Sequence, residues 1–131
     1  MTVIESIPYH LRAAAQQAAS ACVTDVVGVT AAVIATVDGF DLASSFRMQQ
    51  DPARIAAMAS SISAISGVVS MEAGLGKLRY VAIATDNGFA IVYAVPRNDV
   101  ELVINVISDG NAILAQVMHR ISAMAKSLAE V

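Results

Sequence analysis

Residues 74–77, Gly-Leu-Gly-Lys, are the part of this sequence most similar to a phosphate-binding loop. A P-loop would need glycine in place of Met71 and serine or threonine in place of Leu78. It would also follow a strand, whereas this segment follows a helical pattern. We therefore interpret the two glycines as the end of a helix, and we predict no cofactor site.

Cysteine and histidine offer little for nucleophilic or metal chemistry. Cys22 is the single cysteine and ends an apolar helical face, so we interpret it as a small core residue. His10 and His119 fall on the first and last predicted helices, and we expect both at the surface. One cysteine and two histidines form a closed zinc site only with acidic residues or a second chain, so we predict no metal site.

The charged residues show no catalytic pattern either. The aspartates fall mostly at predicted turns and helix caps, and no carboxylate pair stands out as an acid and base. An arginine could stabilise the developing charge of a phosphoryl-transfer transition state, but the sequence does not select one. Solvated or ion-paired positions are expected for Arg47, Arg54, Lys77, Arg79 and Arg97. We predict that the protein has no catalytic residues and is not an enzyme.

The composition predicts a buried contact with another chain. Hydrophobic residues make up 56% of the 131 residues and charged residues 15%. Soluble domains average about 25% charged residues, which for this length would be roughly 33. The shortfall of about 14 is of the order expected for one side of an interface, whose centre is depleted of charge. We therefore expect an oligomer.

Charge and hydropathy argue against nucleic acid and membrane partners. The net charge is −3 and the basic residues are scattered, so a phosphate backbone has no basic surface to bind. The most apolar stretch, residues 55–71, contains several serines and is shorter than the roughly 20 residues of a membrane span. No basic segment leads into an apolar core near the N-terminus. We predict a cytoplasmic protein without membrane insertion.

Local patterns predict one domain over residues 1–131. Thr2 and Glu5 have capping-box spacing before a helix from about Ile7 to Cys22. Residues 26–37 and 40–46 are predicted strands joined by an Asp-Gly turn, and a central helix should begin at Pro52 and end near Ala73. Three strands follow, at residues 78–85, 89–95 and 100–107, and then an amphipathic helix from about residue 113.

This order, α-β-β-α-β-β-β-α, predicts an α+β fold with a covered sheet. The last three strands are apolar at even and odd positions, so neither face should be open to water. The economical arrangement places the central helix on one face and the two terminal helices on the other.

The central helix has two stripes with different side chains. Six apolar residues recur at helical spacing and should pack on the sheet: Ile55, Met58, Ala59, Ile62, Ile65 and Val69. Six small residues form the second stripe, which permits close approach of another helix: Ala53, Ala56, Ala57, Ser60, Ala64 and Gly67. A single helix inside one large core is the alternative.

The sequence resembles the Roadblock/dynein light chain family over nearly its whole length. Residues 26–29 (Val-Val-Gly-Val) and 37–43 (Val-Asp-Gly-Phe-Asp-Leu-Ala) are similar to that family's first hairpin. Residues 55–60 (Ile-Ala-Ala-Met-Ala-Ser) resemble its central helix, and residues 72–78 and 102–112 continue the match in order. Many members have Asn-Leu-Gly where residues 111–113 are Asn-Ala-Ile, which weakens any contact inherited from that glycine.

The resemblance implies a profilin-like, five-stranded antiparallel sheet flanked by helices. It also implies homodimers or heterodimers that join sheets edge to edge with central helices adjacent. Family members are usually non-catalytic partners of small Ras-like GTPases or subunits of motor complexes, and a single-domain chain of this length resembles prokaryotic GTPase-associated regulators.

We therefore expect a homodimeric adaptor that binds a small GTPase and modulates its nucleotide state or location. The third strand would lie at an edge of the sheet under the family topology, where unpaired backbone groups accept another strand. The candidate dimer-interface residues are Ala57, Ser60, Ser61, Ala64, Leu78, Tyr80 and Ala82.

Two other functions fit the same elements. A helix-flanked antiparallel sheet of this size also describes PAS-like and GAF-like small-molecule sensors, although the core-facing residues show no polar cluster for a ligand. A structural subunit of a larger assembly would need only adhesive surfaces, and the sequence does not separate it from the adaptor.

Overall fold

The computed structural model describes residues 7–131, and its element order is the one predicted from the sequence. The capping box of Thr2 and Glu5 lies outside the described residues. The elements are α1 (Tyr9–Asp25), β1 (Val29–Thr36), β2 (Asp41–Phe46), α2 (Pro52–Glu72), β3 (Tyr80–Thr85), β4 (Gly88–Val95), β5 (Leu102–Asp109) and α3 (Leu114–Glu130).

The five strands form one antiparallel sheet in the order β2-β1-β5-β4-β3. On one face, Val33 packs with Ile55 of α2. On the other face, Ile104 belongs to the main core with Leu11 of α1 and Ile121 of α3. The predicted arrangement of one central helix opposite two terminal helices is therefore confirmed.

Turn and cap residues set the limits of α2. The Asp51 carboxylate accepts a hydrogen bond from the Ala53 N–H at 3.1 Å, and Pro52 occupies the first helical turn. After the helix, Gly74 has a φ of +71°, which favours glycine. Ser70 then donates to the Gly76 carbonyl at 2.6 Å and ties the following loop to the helix. Leu78 lies in this loop, so β3 begins two residues later than predicted.

The prediction of which α2 residues face the sheet was only partly right. Ile55 and Ala59 are buried, whereas Met58, Ile65 and Val69 are 55%, 66% and 61% exposed. Ala56, assigned to the small-residue stripe, is fully buried against the sheet. The reason is that small side chains allow the helix backbone to approach the strands closely, so this part of α2 turns its alanines inward.

Candidate protein interface

The outward face of α2 carries large apolar side chains that its own fold leaves exposed. They are 55–67% exposed. The residues are Met58, Ile65, Val68, Val69 and Met71. No charged residue occurs between Arg54 and Glu72. A contiguous apolar surface without charge is typical of the centre of a protein interface.

Three of the four candidates predicted on α2 lie exposed on this surface. Ala57, Ser61 and Ala64 are exposed, and the Ser61 hydroxyl donates to the Ala57 carbonyl at 3.1 Å within the helix. Ser60 is half-buried, and its hydroxyl donates to the Val37 carbonyl. Ser60 therefore ties α2 to the β1–β2 turn of its own chain.

The β3 edge has backbone groups available for another strand. β3 pairs with β4 on one side only, and the Ala94 N–H donates to the Arg79 carbonyl at 2.9 Å. Because hydrogen-bonded pairs alternate along antiparallel strands, Tyr80, Ala82 and Ala84 turn their backbone groups outward. Within residues 7–131 no side chain hydrogen-bonds to these groups. This edge can accept a strand.

The side chains of Tyr80 and Ala82, the two candidates on β3, point away from α2. Tyr80 stacks on Tyr93, with ring centroids 5.8 Å apart, on the face that carries α1 and α3. Ala82 shares that face by strand alternation and is exposed. Leu78 is half-buried in the loop before β3. The candidates therefore lie on two faces of the sheet, which meet at the β3 edge.

Sequence reasoning missed the β3 residues on the α2 side of the sheet. Val81 packs near Ala59 and Ile62, and Ile83 lies on the same face and is 38% exposed. Successive side chains of residues 80–83 must point to opposite faces of the sheet. The sequence does not show whether the odd-numbered or the even-numbered residues face α2. Three of the exposed large residues of α2, Met58, Ile65 and Val69, were missed for the related reason that they were assigned to the sheet contact.

The helices also leave the predicted covered sheet open at β3. Five of the six β3 residues are exposed. On one face α2 contacts mainly β1 and β5, and on the other α1 covers β1 and β2 while α3 covers β4 and β5. The expectation that water is excluded from both faces of the last three strands is therefore wrong for β3. An exposed edge strand beside an exposed apolar helix forms one continuous candidate interface.

An apolar groove of about 530 Å³ lies between the C-terminal half of α2 and one end of the sheet. Glu72, Lys77 and Glu101 supply the charged groups. The apolar lining includes Val37, Ala64, Val68, Met71, Leu78 and Leu102. The groove arises where α2 carries its exposed residues, and it was not expected from the sequence.

Two of the five basic residues weighed as activating groups are held by their own fold. Arg47 donates from Nε to the Val29 carbonyl at 2.9 Å and from Nη2 to the Val23 carbonyl at 3.2 Å. Arg97 forms a two-point ion pair with Asp99. Arg54, Lys77 and Arg79 are exposed. These latter three remain able to contact a partner.

Cysteine and histidine occupy the positions predicted for them. Cys22 is fully buried, and burial raises the pKa of its thiol to about 11, which keeps it protonated and unreactive. His10 and His119 are exposed. Across residues 7–131, no three histidine, cysteine, aspartate or glutamate side chains come close enough to hold a metal ion.

The helix α2 meets a simple test for a membrane span. It has 21 residues, and its most apolar 18-residue window has a mean hydropathy of 1.4. The complete helix, Pro52–Glu72, is longer than the uncharged stretch of residues 55–71 on which the prediction was based. Ile55, Ala56 and Ala59 nevertheless pack against the sheet, as in a helix of a folded domain. The absence of membrane insertion stays a prediction.

Comparison with known proteins identifies the family. MglB from Myxococcus xanthus is similar in structure, with a TM-score of 0.82, 14% identity and coverage of 95% of this chain and 91% of that one. MglB is also known in a tetrameric arrangement. A Roadblock/LC7 domain from Streptomyces avermitilis gives a TM-score of 0.79 at 19% identity, with 88% and 94% coverage.

The profilin-like expectation also holds. Profilin IB of Acanthamoeba castellanii gives a TM-score of 0.54 at 17% identity, covering 88% of this chain and 97% of that one. No curated protein sequence matches this chain. A sequence model of the Roadblock/LC7 domain matches residues 15–105. The chain belongs to the Roadblock/LC7 domain family.

Proposed function

We propose that this protein is a non-catalytic, cytoplasmic homodimer that binds a small Ras-like GTPase and modulates its nucleotide state or location. The observation that carries the proposal is the exposed, uncharged outer face of α2 beside the unpaired β3 edge. Both features occur in a Roadblock/LC7 domain, and structural similarity to MglB supports a regulatory domain of this kind.

Self-association would use both features at once. A two-fold axis beside β3 would pair this strand with β3 of a second copy and extend the sheet across the dimer. The same axis would bring the two α2 helices together, so that Ile65, Val68 and Val69 lose their contact with water. The joined α2 helices would give the GTPase a platform made by both chains.

Light scattering tests the dimer with two matched variants, each of which replaces an exposed alanine with glutamate. The wild-type protein should have twice the 13.6 kDa mass of one chain. Ala64→Glu should have the mass of one chain, because it places a charge in the apolar contact. Ala123→Glu adds the same charge at an exposed position of α3 and should remain a dimer. An unchanged mass for Ala64→Glu would exclude this helix face.

Nucleotide-dependent capture tests the partner. Immobilised wild-type protein should retain a small GTPase from native lysate in one nucleotide state, set by adding GDP or a non-hydrolysable GTP analogue. Ala64→Glu should lose the GTPase and Ala123→Glu should keep it, because the binding platform needs two chains. Equal recovery of GTPases in both nucleotide states, or none in either, would argue against the adaptor and leave the structural-subunit alternative.

The groove under α2 favours a small-molecule sensor as a second candidate function. Its volume of about 530 Å³ is in the range of ligand sites, and Glu72, Lys77 and Glu101 could orient a ligand with polar groups. A metabolite that raises the melting temperature of wild-type protein, and not of a variant with Gly67→Leu in the groove lining, would support the sensor.

A further inference from the structure

The two edge strands of the sheet differ in whether a side chain forms hydrogen bonds with their outward backbone groups. β2 and β3 are the edge strands, and both could in principle pair with another chain. The outward backbone groups of β3 have no side-chain partner within residues 7–131. On β2, by contrast, a side chain of α1 forms hydrogen bonds with the outward backbone groups of Ser44.

Gln16 makes these hydrogen bonds with both ends of its amide group. Its Nε2 donates to the Ser44 carbonyl at 2.9 Å, and the Ser44 N–H donates to its Oε1 at 3.3 Å. The same Nε2 donates to the Ser20 hydroxyl at 3.1 Å, one helical turn further along α1. The side-chain amide thus offers Ser44 the donor and acceptor that a neighbouring strand would offer.

The register shows that Ser44 is the position where a docking strand would bind. The Arg47 N–H donates to the Thr30 carbonyl, so Ser45 and Ala43 also face β1 in the alternating pattern, while Ser44 faces outward. A shift in register between Ile34 and Ala35 further disturbs the strand pair near Leu42. Gln16 therefore occupies the middle of an edge strand that is already short and irregular.

We infer that Gln16 closes the β2 edge and so restricts self-association to β3. This inference rests on the proposed dimer. A chain with two open edges could pair head to tail without limit, whereas a chain with one open edge stops at a symmetric pair. Gln16 is then the residue that determines a closed dimer instead of a growing ribbon of sheets.

Light scattering of Gln16→Ala, from dilute to concentrated samples, tests the inference. We expect species larger than a dimer whose share rises with concentration, because the β2 edge now accepts a second chain. Gln17→Ala is the matched control, since Gln17 is exposed on α1 beside Gln16 and the helix gains the same residue. Gln17→Ala should have the same mass as the wild-type protein.

A double variant separates this inference from the proposed dimer. With Ala64→Glu blocking the α2 and β3 surface, Gln16→Ala should still restore pairs, now through β2. If the wild-type protein is monomeric, the proposed dimer fails, but Gln16→Ala should still gain mass. If Gln16→Ala has the mass of wild type and the double variant has the mass of Ala64→Glu at every concentration, the inference is wrong.

Hydrogen exchange gives a readout that does not depend on assembly. In the Ala64→Glu background, at low concentration, the Ser44 amide should exchange about tenfold faster after Gln16→Ala, since one hydrogen bond of ordinary net strength is lost. The same amide should be unaffected by Gln17→Ala. An equal Ser44 rate with and without Gln16 would overturn the closed edge.

Discussion

Arg97 joins the turn before β5 to the end of α3. Its side chain is 7% exposed, and it pairs with Asp99 at 2.8 Å. It also donates to the Leu128 carbonyl and, at 3.1 Å, to the Val131 carbonyl. These carbonyls lie at the C-terminal end of α3, which favours a cation. Arg97 therefore has a structural role, as the sequence analysis expected for an ion-paired residue.

This ion pair predicts an acid dependence of stability. The hydrogen bond from Arg97 is the main reason why the pKa of Asp99 is lowered from 3.8 to about 2. A lowered pKa in the folded state stabilises the protein above pH 3.8, and this contribution is lost as the pH falls toward 2. Asp99→Asn should remove that part of the pH dependence in urea unfolding.

Arg97→Ala provides the matched change on the other side of the pair. It should lower the free energy of unfolding at neutral pH by about 2 kcal/mol, because charged hydrogen bonds to the α3 carbonyls are lost as well. Asp99→Asn should cost less, since those carbonyl contacts remain. If both variants keep the wild-type slope of stability against pH in acid, the pair does not control it.

At the scale of elements, sequence reasoning succeeded where the determinants are local. Asp51-Pro52 marked the start of α2, and the Asp-Gly turn at residues 38–39 marked the first hairpin. Sequence reasoning failed where tertiary contacts determine which residues are buried. The periodicity of α2 could not distinguish a face that packs on strands from one left outside, and small residues occurred on both. Gln16 and Ser44 are 28 positions apart in the sequence, so no local pattern predicts the contact between them.

The buried alanine of α2 provides a test of how this helix meets the sheet. Ala56→Leu should lower the free energy of unfolding by about 1–3 kcal/mol, because a larger side chain cannot fit between α2 and Val33 without moving the helix. Ala57→Leu makes the same change at the next, exposed position and should stay within about 0.5 kcal/mol of its parent.

Both leucine variants should be compared by urea unfolding in the Ala64→Glu background, so that dimerisation does not contribute to the measured stability. Equal losses for the two would mean that α2 does not approach the sheet through Ala56.

At the scale of the whole molecule, the apolar composition and the exposed surface have a common explanation. With 15% charged residues, one chain has too few charged side chains to cover its whole surface. The uncharged part of the surface is concentrated on α2 beside β3. The composition predicted that some surface is buried against another chain. It could not locate that surface. The seven candidates lie on both faces of the sheet, and Met58, Ile65 and Val69 were assigned to the sheet contact.

Hydrogen exchange at β3 tests the central claim most directly. The outward amides of Tyr80, Ala82 and Ala84 have no partner among residues 7–131 of their own chain. They should be strongly protected in concentrated wild-type protein, where β3 pairs with a second copy. Dilution, or Ala64→Glu, should make them exchange at the rate of an open edge. Rapid exchange of these three amides in a sample of dimeric mass would contradict the account.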